Sequence, residues 1–381
     1  MPTTYGTVVY AGTGSSHSWT WLADLFENNG VLSVQFLEAE EFIDSLIGDS
    51  VKMAIISGGD GFSVAGALAG GGFHELEGWI GRGGTYVGIC AGAYLPLPSS
   101  MEPFSGFNLS KTKIENIKCE PSKGSVEPRR EVPYGNCSIV HPVRGSVEVC
   151  EVGGKTVVAP IYGGPVFKEP EEDTVLMRYL SFTKDTEFQA DQEVAKKMIL
   201  GKPAVIKSFH GDGSMMLFGP HLEHPRFPKA NERLMAMLGF SRQDWPAPEA
   251  VHLSDHGKQE GLHRTISDLK VAVYGLENRS FVVGRKAWDG SRYMELISAL
   301  EKRAWTLSEP EMKRVEAKLR NVREGLVRAK VGPDSEADEW THQLVEATRE
   351  CVDSHFRAMA EKSGACVDDL FGWPSREHPR R

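Results

Sequence analysis

Residues 84–94 read Gly84-Thr85-Tyr86-Val87-Gly88-Ile89-Cys90-Ala91-Gly92-Ala93-Tyr94. A short apolar run bounded by glycine reads as a buried strand. Here the run passes straight into a cysteine flanked by small residues, where a helix is predicted to begin. Such a strand-to-helix elbow exposes a nucleophile at the carboxyl end of a sheet. A thiol at a helix N-terminus is also acidified by the helix dipole. Cys90 is therefore the candidate nucleophile. The glycine frame favours this reading over that of a buried cysteine in a tight turn.

Working outward, Thr7 to Tyr10 reads as a strand ended by Gly12-Thr13-Gly14-Ser15-Ser16, and Trp19, Leu22 and Phe26 recur at helical spacing. Val31 to Leu37 is a predicted strand, Glu38 to Leu46 a helix, Met53 to Ile56 a strand, and Phe73 to Ile80 a helix. Strand–helix alternation with short connections implies an α/β fold, a parallel sheet with helices on both faces. From about residue 145 to 220, strands and tight turns replace this pattern. Ala204 to Phe209 and Met215 to Phe218 flank a hairpin-like turn at His210-Gly211-Asp212-Gly213. Asn231 to Leu238 is a short predicted helix with Gly239 as its C-cap.

A thiolate nucleophile needs a base and a group that orients the base. Gly219-Pro220-His221-Leu222-Glu223-His224 supplies both. In an extended segment i and i+2 share a side, so His221 would take and return the proton while Glu223 holds its tautomer. His224 is predicted to point away and serve structure. Acyl transfer also needs oxyanion donors. The Ala91 amide is one candidate, and the turn Ser57-Gly58-Gly59-Asp60-Gly61 offers others. Asp60 either binds substrate or caps a turn. Tyr162-Gly163-Gly164 either lines the pocket or is a plain turn. Gly12 to Ser16 lacks a full dinucleotide fingerprint and a P-loop lysine, and reads best as an ordinary turn. His252, His256 and His263 show no metal-ligand spacing and read as solvated loop residues.

Five motifs, in order, resemble the class I glutamine amidotransferase-like superfamily. The nearest likeness is to the amidotransferase-like domain at the N-terminus of some biotin–protein ligases. They are Val9–Gly14, Ser57–Asp60, Gly84–Tyr94, Tyr162–Phe167 and Gly219–Glu223. The resemblance covers roughly residues 1–240. It implies a flavodoxin-like sheet and a Cys90-His221-Glu223 triad. The implied activity is that of a cysteine amidohydrolase or amidotransferase acting on a carboxamide through a thioester. Gly58, Gly59, Asp60, Ala91, Tyr94, Tyr162, Gly163 and Gly164 would form its oxyanion hole or substrate-binding surface. Two positions depart from the superfamily pattern. Tyr94 stands where many glutaminases carry Gln, which weakens glutamine as the substrate. Leu222 stands where Pro would bring Glu next to it, yet the i, i+2 spacing is kept. The lysine-containing loop of a biotin ligase is absent, so ligase activity does not follow.

Composition narrows the alternatives. The chain has 381 residues, 40% hydrophobic and 25% charged, with a net charge of −9. That is a globular composition, without the basic stripe of a nucleic-acid binder. No secretory signal or membrane-spanning run is visible, and six cysteines without a CxxC pair fit a reducing cytosol. Trp245-Pro246-Ala247-Pro248 marks a boundary between residues 1–240 and a mainly helical 241–381. There Ser308 and Glu311 form a capping-box pattern, and Met312, Val315, Leu319, Val322 and Leu326 form a short seam that Gly332-Pro333 ends. This segment is predicted to form a helical hairpin of architectural role, packing on its own core or pairing a homodimer, with no residue set that completes the chemistry. No cofactor or metal is implied. The expected ligand is a small amide or peptide, and ammonia transfer would require a synthetase or ligase partner. The competing reading is a non-catalytic ligand-binding or partner-docking module on the same fold.

Overall fold

Side chains alternate across a strand, so a strand apolar at every position is covered on both faces. The first strands behave in this way. The computed structural model describes residues 6–48, 50–115, 132–134, 137–139, 141–240, 256–276, 279–329 and 336–363. It begins with β1 (Thr7–Tyr10), α1 (Trp19–Asn28), β2 (Val34–Leu37), α2 (Ala39–Ser45), β3 (Met53–Ile56), α3 (Gly61–Leu68), α4 (Gly71–Gly81), β4 (Thr85–Ile89) and α5 (Ala91–Tyr94). Val9, Ile55 and Val87 join one core with α1. Val8, Tyr10, Ala54, Ile56 and Tyr86 join the other with α2, α3 and α4.

The middle of the chain adds β5 (Val132–Tyr134), β6 (Cys137–Ile139), β7 (Val143–Glu151), β8 (Thr156–Ile161), β9 (Thr174–Phe188), α6 (Gln192–Ile199), β10 (Pro203–His210), β11 (Gly213–Phe218) and α7 (Pro228–Met237). Nine strands form one sheet in the order β2-β1-β3-β4-β11-β10-β9-β7-β8. The five from β2 to β11 are parallel, and β10, β9, β7 and β8 extend the sheet in antiparallel fashion. The α/β class is thus present, but the sheet is mixed rather than wholly parallel. The predicted β10–β11 turn is in place, as is a left-handed Gly239 after α7. Beside β5, β6 and α6, two elements went unread for a visible reason. Helix α3 is small and glycine-rich, and β9 mixes apolar and polar residues without clean alternation.

The C-terminal region holds α8 (His256–Tyr274), β12 (Ser280–Val283), β13 (Lys286–Asp289), α9 (Gly290–Arg303), α10 (Glu309–Ala329) and α11 (Ala337–Ser363). It is richer than a helical hairpin, although α10 and α11 do pack together. His263 is an exposed residue of α8 rather than of a loop; His252, Trp245 to Pro248, Gly332-Pro333, Cys119 and Cys366 lie outside the described residues. Ser308 and Glu311 form the predicted cap, with the Ser308 amide donating to Glu311 Oε2 at 2.8 Å. Val315, Leu319, Val322 and Leu326 are fully buried within the chain, as α10 packs between α8 and α11.

This region is fastened to the sheet. Asp353 of α11 accepts the Phe36 amide of edge strand β2 at 3.0 Å, so α11 covers an edge that would otherwise template pairing. The guanidinium of Arg303, with no exposed surface, donates to Asp24 Oδ1 at 2.7 Å and to Glu27 Oε2 at 2.5 Å on α1. His355 Nε2 meets Glu27 Oε1 at 3.0 Å. Burial alone would raise the Glu27 carboxyl; the His355 hydrogen bond and the Arg303 charge outweigh it and hold the pKa at about 2.

Two outcomes follow. Leu319→Ala should cost about 2–5 kcal/mol in denaturant unfolding with no change in mass by light scattering. A dissociated dimer would contradict the intramolecular packing. A carboxyl held low in the folded state stabilises above its unfolded pKa of about 4.3. The Glu27 contribution should therefore be lost as pH falls from that value toward 2, and Glu27→Gln should flatten stability across this window. An equal slope in both proteins would show the network to be idle.

Candidate active site

Among the described residues, Cys90 is the one non-glycine residue with positive φ, at φ 53° and ψ −104°. Holding a side chain there costs about 1–3 kcal/mol, so the surroundings must enforce it. They do so through backbone contact. A Cβ on Gly88 would lie 2.5 Å from the Gly92 carbonyl oxygen, and one on Gly92 would lie 2.0 Å from that of Ile56. The Cys90 amide donates to Phe218 O at 2.9 Å and the Gly92 amide to Ser57 O at 3.2 Å. The elbow is thereby clamped between β11 and β3. Helix α5 is only four residues long, so the dipole invoked from sequence is weak, and other charges must act on the thiol.

His221 and Glu223 follow β11 in a turn, not in the extended segment that alternation assumes. Asn231 Nδ2 pins this turn by donating to Leu222 O at 2.7 Å and His224 O at 3.1 Å. The two side chains nonetheless meet. His221 Nδ1 lies 2.7 Å from Glu223 Oε1, with both residues buried. Ser57 Oγ also donates to Glu223 Oε1, at 3.3 Å, and pairs with Ser18 Oγ at 2.9 Å. The other His221 nitrogen is left for Cys90, to whose sulfur the ring is electrostatically coupled. Gly58 makes room, since a Cβ there would lie 2.9 Å from His221 Cε1.

Burial opposes charge on both partners, yet each lowers the other's cost. The Cys90 thiol is raised by burial but lowered further by the charge and hydrogen bond of His221 and by the Lys286 ammonium, so its net pKa falls below that of an ordinary thiol. Burial lowers His221, while the carboxylate of Glu223 and the Cys90 sulfur raise it to a net value above the usual imidazole. The pair therefore favours thiolate and imidazolium, the charge state of an activated cysteine.

Comparison with known proteins gives a partial match. Residues 6–102 match the family model described as biotin-protein ligase, N terminal. A crystal structure of a glutamine amidotransferase aligns with a TM-score of 0.39 at 14% identity, over 61% of this chain and 99% of that one. A β-galactosidase from Bacillus circulans sp. alkalophilus aligns with a TM-score of 0.35 at 14% identity, over 63% of this chain and 32% of that one. No curated protein matches the chain.

Cys90 and His221 open into a cavity of about 1540 Å³ lined by both the sheet loops and the C-terminal region. Ala91, Gly58, Gly59, Asp60, Tyr94, Tyr162 and Gly163 reach it, while Gly164 does not. A Cβ on Gly164 would fall 1.9 Å from Gly219 O, so its role is close backbone packing. The Gly58 amide is already used by Ser18 Oγ at 3.0 Å, which removes it as an oxyanion donor. Asp60 accepts from the Phe62 amide, Ser63 Oγ and the Arg285 amide, so it caps α3 and anchors the β12–β13 hairpin rather than substrate. Tyr94 Oη donates to Gly163 O at 3.0 Å, tying the elbow to the Tyr162 loop. The Gly12–Ser16 turn is spent on structure, with Asp60 N bonded to Gly14 O and Ser16 N to Gly58 O.

Three groups at this site escaped the sequence reading. His224 does not point away; its ring lies 4.3 Å from Trp21 in the same cavity, and burial followed by the His221 charge lowers it to about 4. His17 is half-buried against Trp21, kept neutral by desolvation first and by Arg292 next, and sits in the loop after β1, where strand-end loops gather ligands. Lys286 of β13 lines the cavity, so the C-terminal region, expected to be architectural, does contribute to its wall. A hairpin packed over 190 residues away leaves no local signal. Among the described residues no cluster of metal-ligating side chains occurs.

Cys90 should alkylate with iodoacetamide well below the pH at which a free thiol does, because its thiolate is populated there. Glu223→Gln removes the charge that holds imidazolium and should shift this pH profile upward. A wild-type profile centred on the ordinary thiol pKa of about 8.5 would contradict the ion pair.

Proposed function

We propose that the chain is a cysteine-dependent amidohydrolase or glutamine amidotransferase-like enzyme that cleaves a carboxamide through Cys90, His221 and Glu223. The observation that carries this reading is the left-handed Cys90 at its elbow, electrostatically coupled to a buried His221 that Glu223 holds at 2.7 Å. The match over residues 6–102 supports the elbow half of it. We further divide the chain into an amidotransferase-like unit, residues 1–240, and an extension, residues 241–381.

The Cys90 thiolate adds to the carboxamide carbon, and the carbonyl electron pair moves to oxygen. The Ala91 amide, which as the first residue of a helix has no intrahelical acceptor, and the nearby Gly59 amide face the developing oxyanion. His221 gives its proton to the nitrogen, the C–N bond breaks and ammonia or an amine leaves. The resulting thioester is attacked by water, whose proton His221 accepts. The carboxylic acid then departs and the thiolate is restored. Transfer of ammonia to an acceptor would require a synthetase or ligase partner.

No described helix is long and apolar enough to cross a membrane. Cys90, Cys150 and Cys351 are free thiols, which suits a reducing compartment such as the cytoplasm. The competing reading, a non-catalytic ligand-binding or docking module, predicts no acyl-enzyme.

Incubation with a panel of small carboxamides, followed by mass spectrometry, should give an acyl adduct on Cys90 and released ammonia. His221→Ala should slow turnover by about 10²–10⁴-fold, the usual worth of a general acid–base. Absence of any adduct and of ammonia across the panel, with Cys90 unreactive to iodoacetamide, would overturn the enzyme reading.

A further inference from the structure

Part of the wall of the cavity that Cys90 lines is built by the β12–β13 hairpin and the start of α9. Of the carboxylates lining it, several already hold donors. Asp60 accepts the Arg285 amide at 2.8 Å, Asp338 the Gly284 amide at 2.7 Å, Asp289 the Ser291 amide at 3.1 Å, and Glu295 the Trp21 indole at 3.3 Å. The first two of these bonds fix the hairpin against α3 and α11. Arg292 is likewise engaged, donating to Ala287 O within the hairpin.

Lys286 differs from these groups. It is half-buried and lines the cavity, and among the described residues its ammonium has no hydrogen-bond or ion-pair partner. A partly desolvated cation with all three donors unused is costly unless an anion joins it. The groups whose fields it meets include Cys90 and Asp60, and Asp60 is already committed to three donors.

We propose that Lys286 forms an anion subsite beside Cys90, so that the C-terminal hairpin selects carboxamides bearing a carboxylate close to the scissile carbon. The inference rests on Cys90 as the nucleophile but goes beyond it, because the subsite belongs to an element outside residues 1–240. The ammonium takes up the carboxylate in a charge-assisted hydrogen bond, which orients the amide carbon toward the sulfur. Burial lowers the Lys286 pKa, and a carboxylate bound against the ammonium would raise it again.

The test compares two alkylating reagents that differ in this one group. Iodoacetate carries a carboxylate next to the reacting carbon, and iodoacetamide carries a neutral amide. Cys90 displaces iodide from either, forming a thioether. In the full chain the iodoacetate-to-iodoacetamide rate ratio at Cys90, each rate normalised to free cysteine, should exceed unity. Lys286→Met should lower that ratio about tenfold, the size of one charge-assisted contact, and Lys286→Arg should restore most of it. The ratio cancels any change in thiolate population, which a merely electrostatic effect on Cys90 would cause. A second measurement needs no variant: malonamate, an amide with a carboxylate, should protect Cys90 from iodoacetamide at lower concentration than malonamide, its neutral counterpart. Reactive Cys90 with an unchanged ratio in Lys286→Met, or equal protection by the two amides, would overturn the subsite and leave the nucleophile standing. Cys90 inert to both reagents would overturn both.

Discussion

The Gly92 backbone pressed against the Ile56 carbonyl is the contact on which the site depends. No side chain fits between them, so the end of β3 and the start of α5 approach at main-chain distance. The chain can turn that sharply only if the residue between adopts a left-handed conformation, and that residue is Cys90. The strain is offset by the parallel pairing of β4 with β3 and β11, which carries both sides of the elbow. The same pairing sets the turn after β11 beside the sulfur, so the position of His221 is a consequence of strand order more than of local sequence. Glu223 then needs only a two-residue reach, and Ser57 from the neighbouring loop joins it.

The second half of the site comes from the opposite end of the chain. The core that begins at Val9 and α1 continues through α9 and α11 without a break among the described residues. Asp60 shows how closely the parts are joined, since one carboxylate starts α3 and also accepts an amide from the hairpin. The cavity is therefore shaped as much by β12, β13 and α9 as by the sheet loops.

Legibility followed the range of the forces involved. Cys90 could be read because the elbow is local: glycines at fixed offsets leave a mark in the sequence. The His221–Glu223 pair was also legible, although through the wrong geometry; a turn rather than a strand brings them together. The seam of α10 was read from its spacing, and its intramolecular burial followed. Lys286, His17 and His224 were missed because nothing in their neighbours says which distant surface they meet. Asp60 and Gly58 do line the cavity, yet their hydrogen bonds are spent on Arg285 and Ser18, which no spacing rule reveals. The antiparallel extension was half-seen, as its turns are explicit while β9 lacks alternation.

The Arg303 network has a consequence for the birth of the protein. Asp24 and Glu27 are made 279 and 276 residues before their guanidinium. At translation rates of about 5–20 residues per second, roughly 15–55 s separate them. In that interval the face of α1 that Arg303 and His355 will cover stays wet, its carboxylates hydrated at no cost. The nascent sheet must carry this unfinished side until α9 and α11 leave the ribosome. Two acidic side chains at that seam keep the waiting surface polar, which guards a half-made chain against sticking to its neighbours.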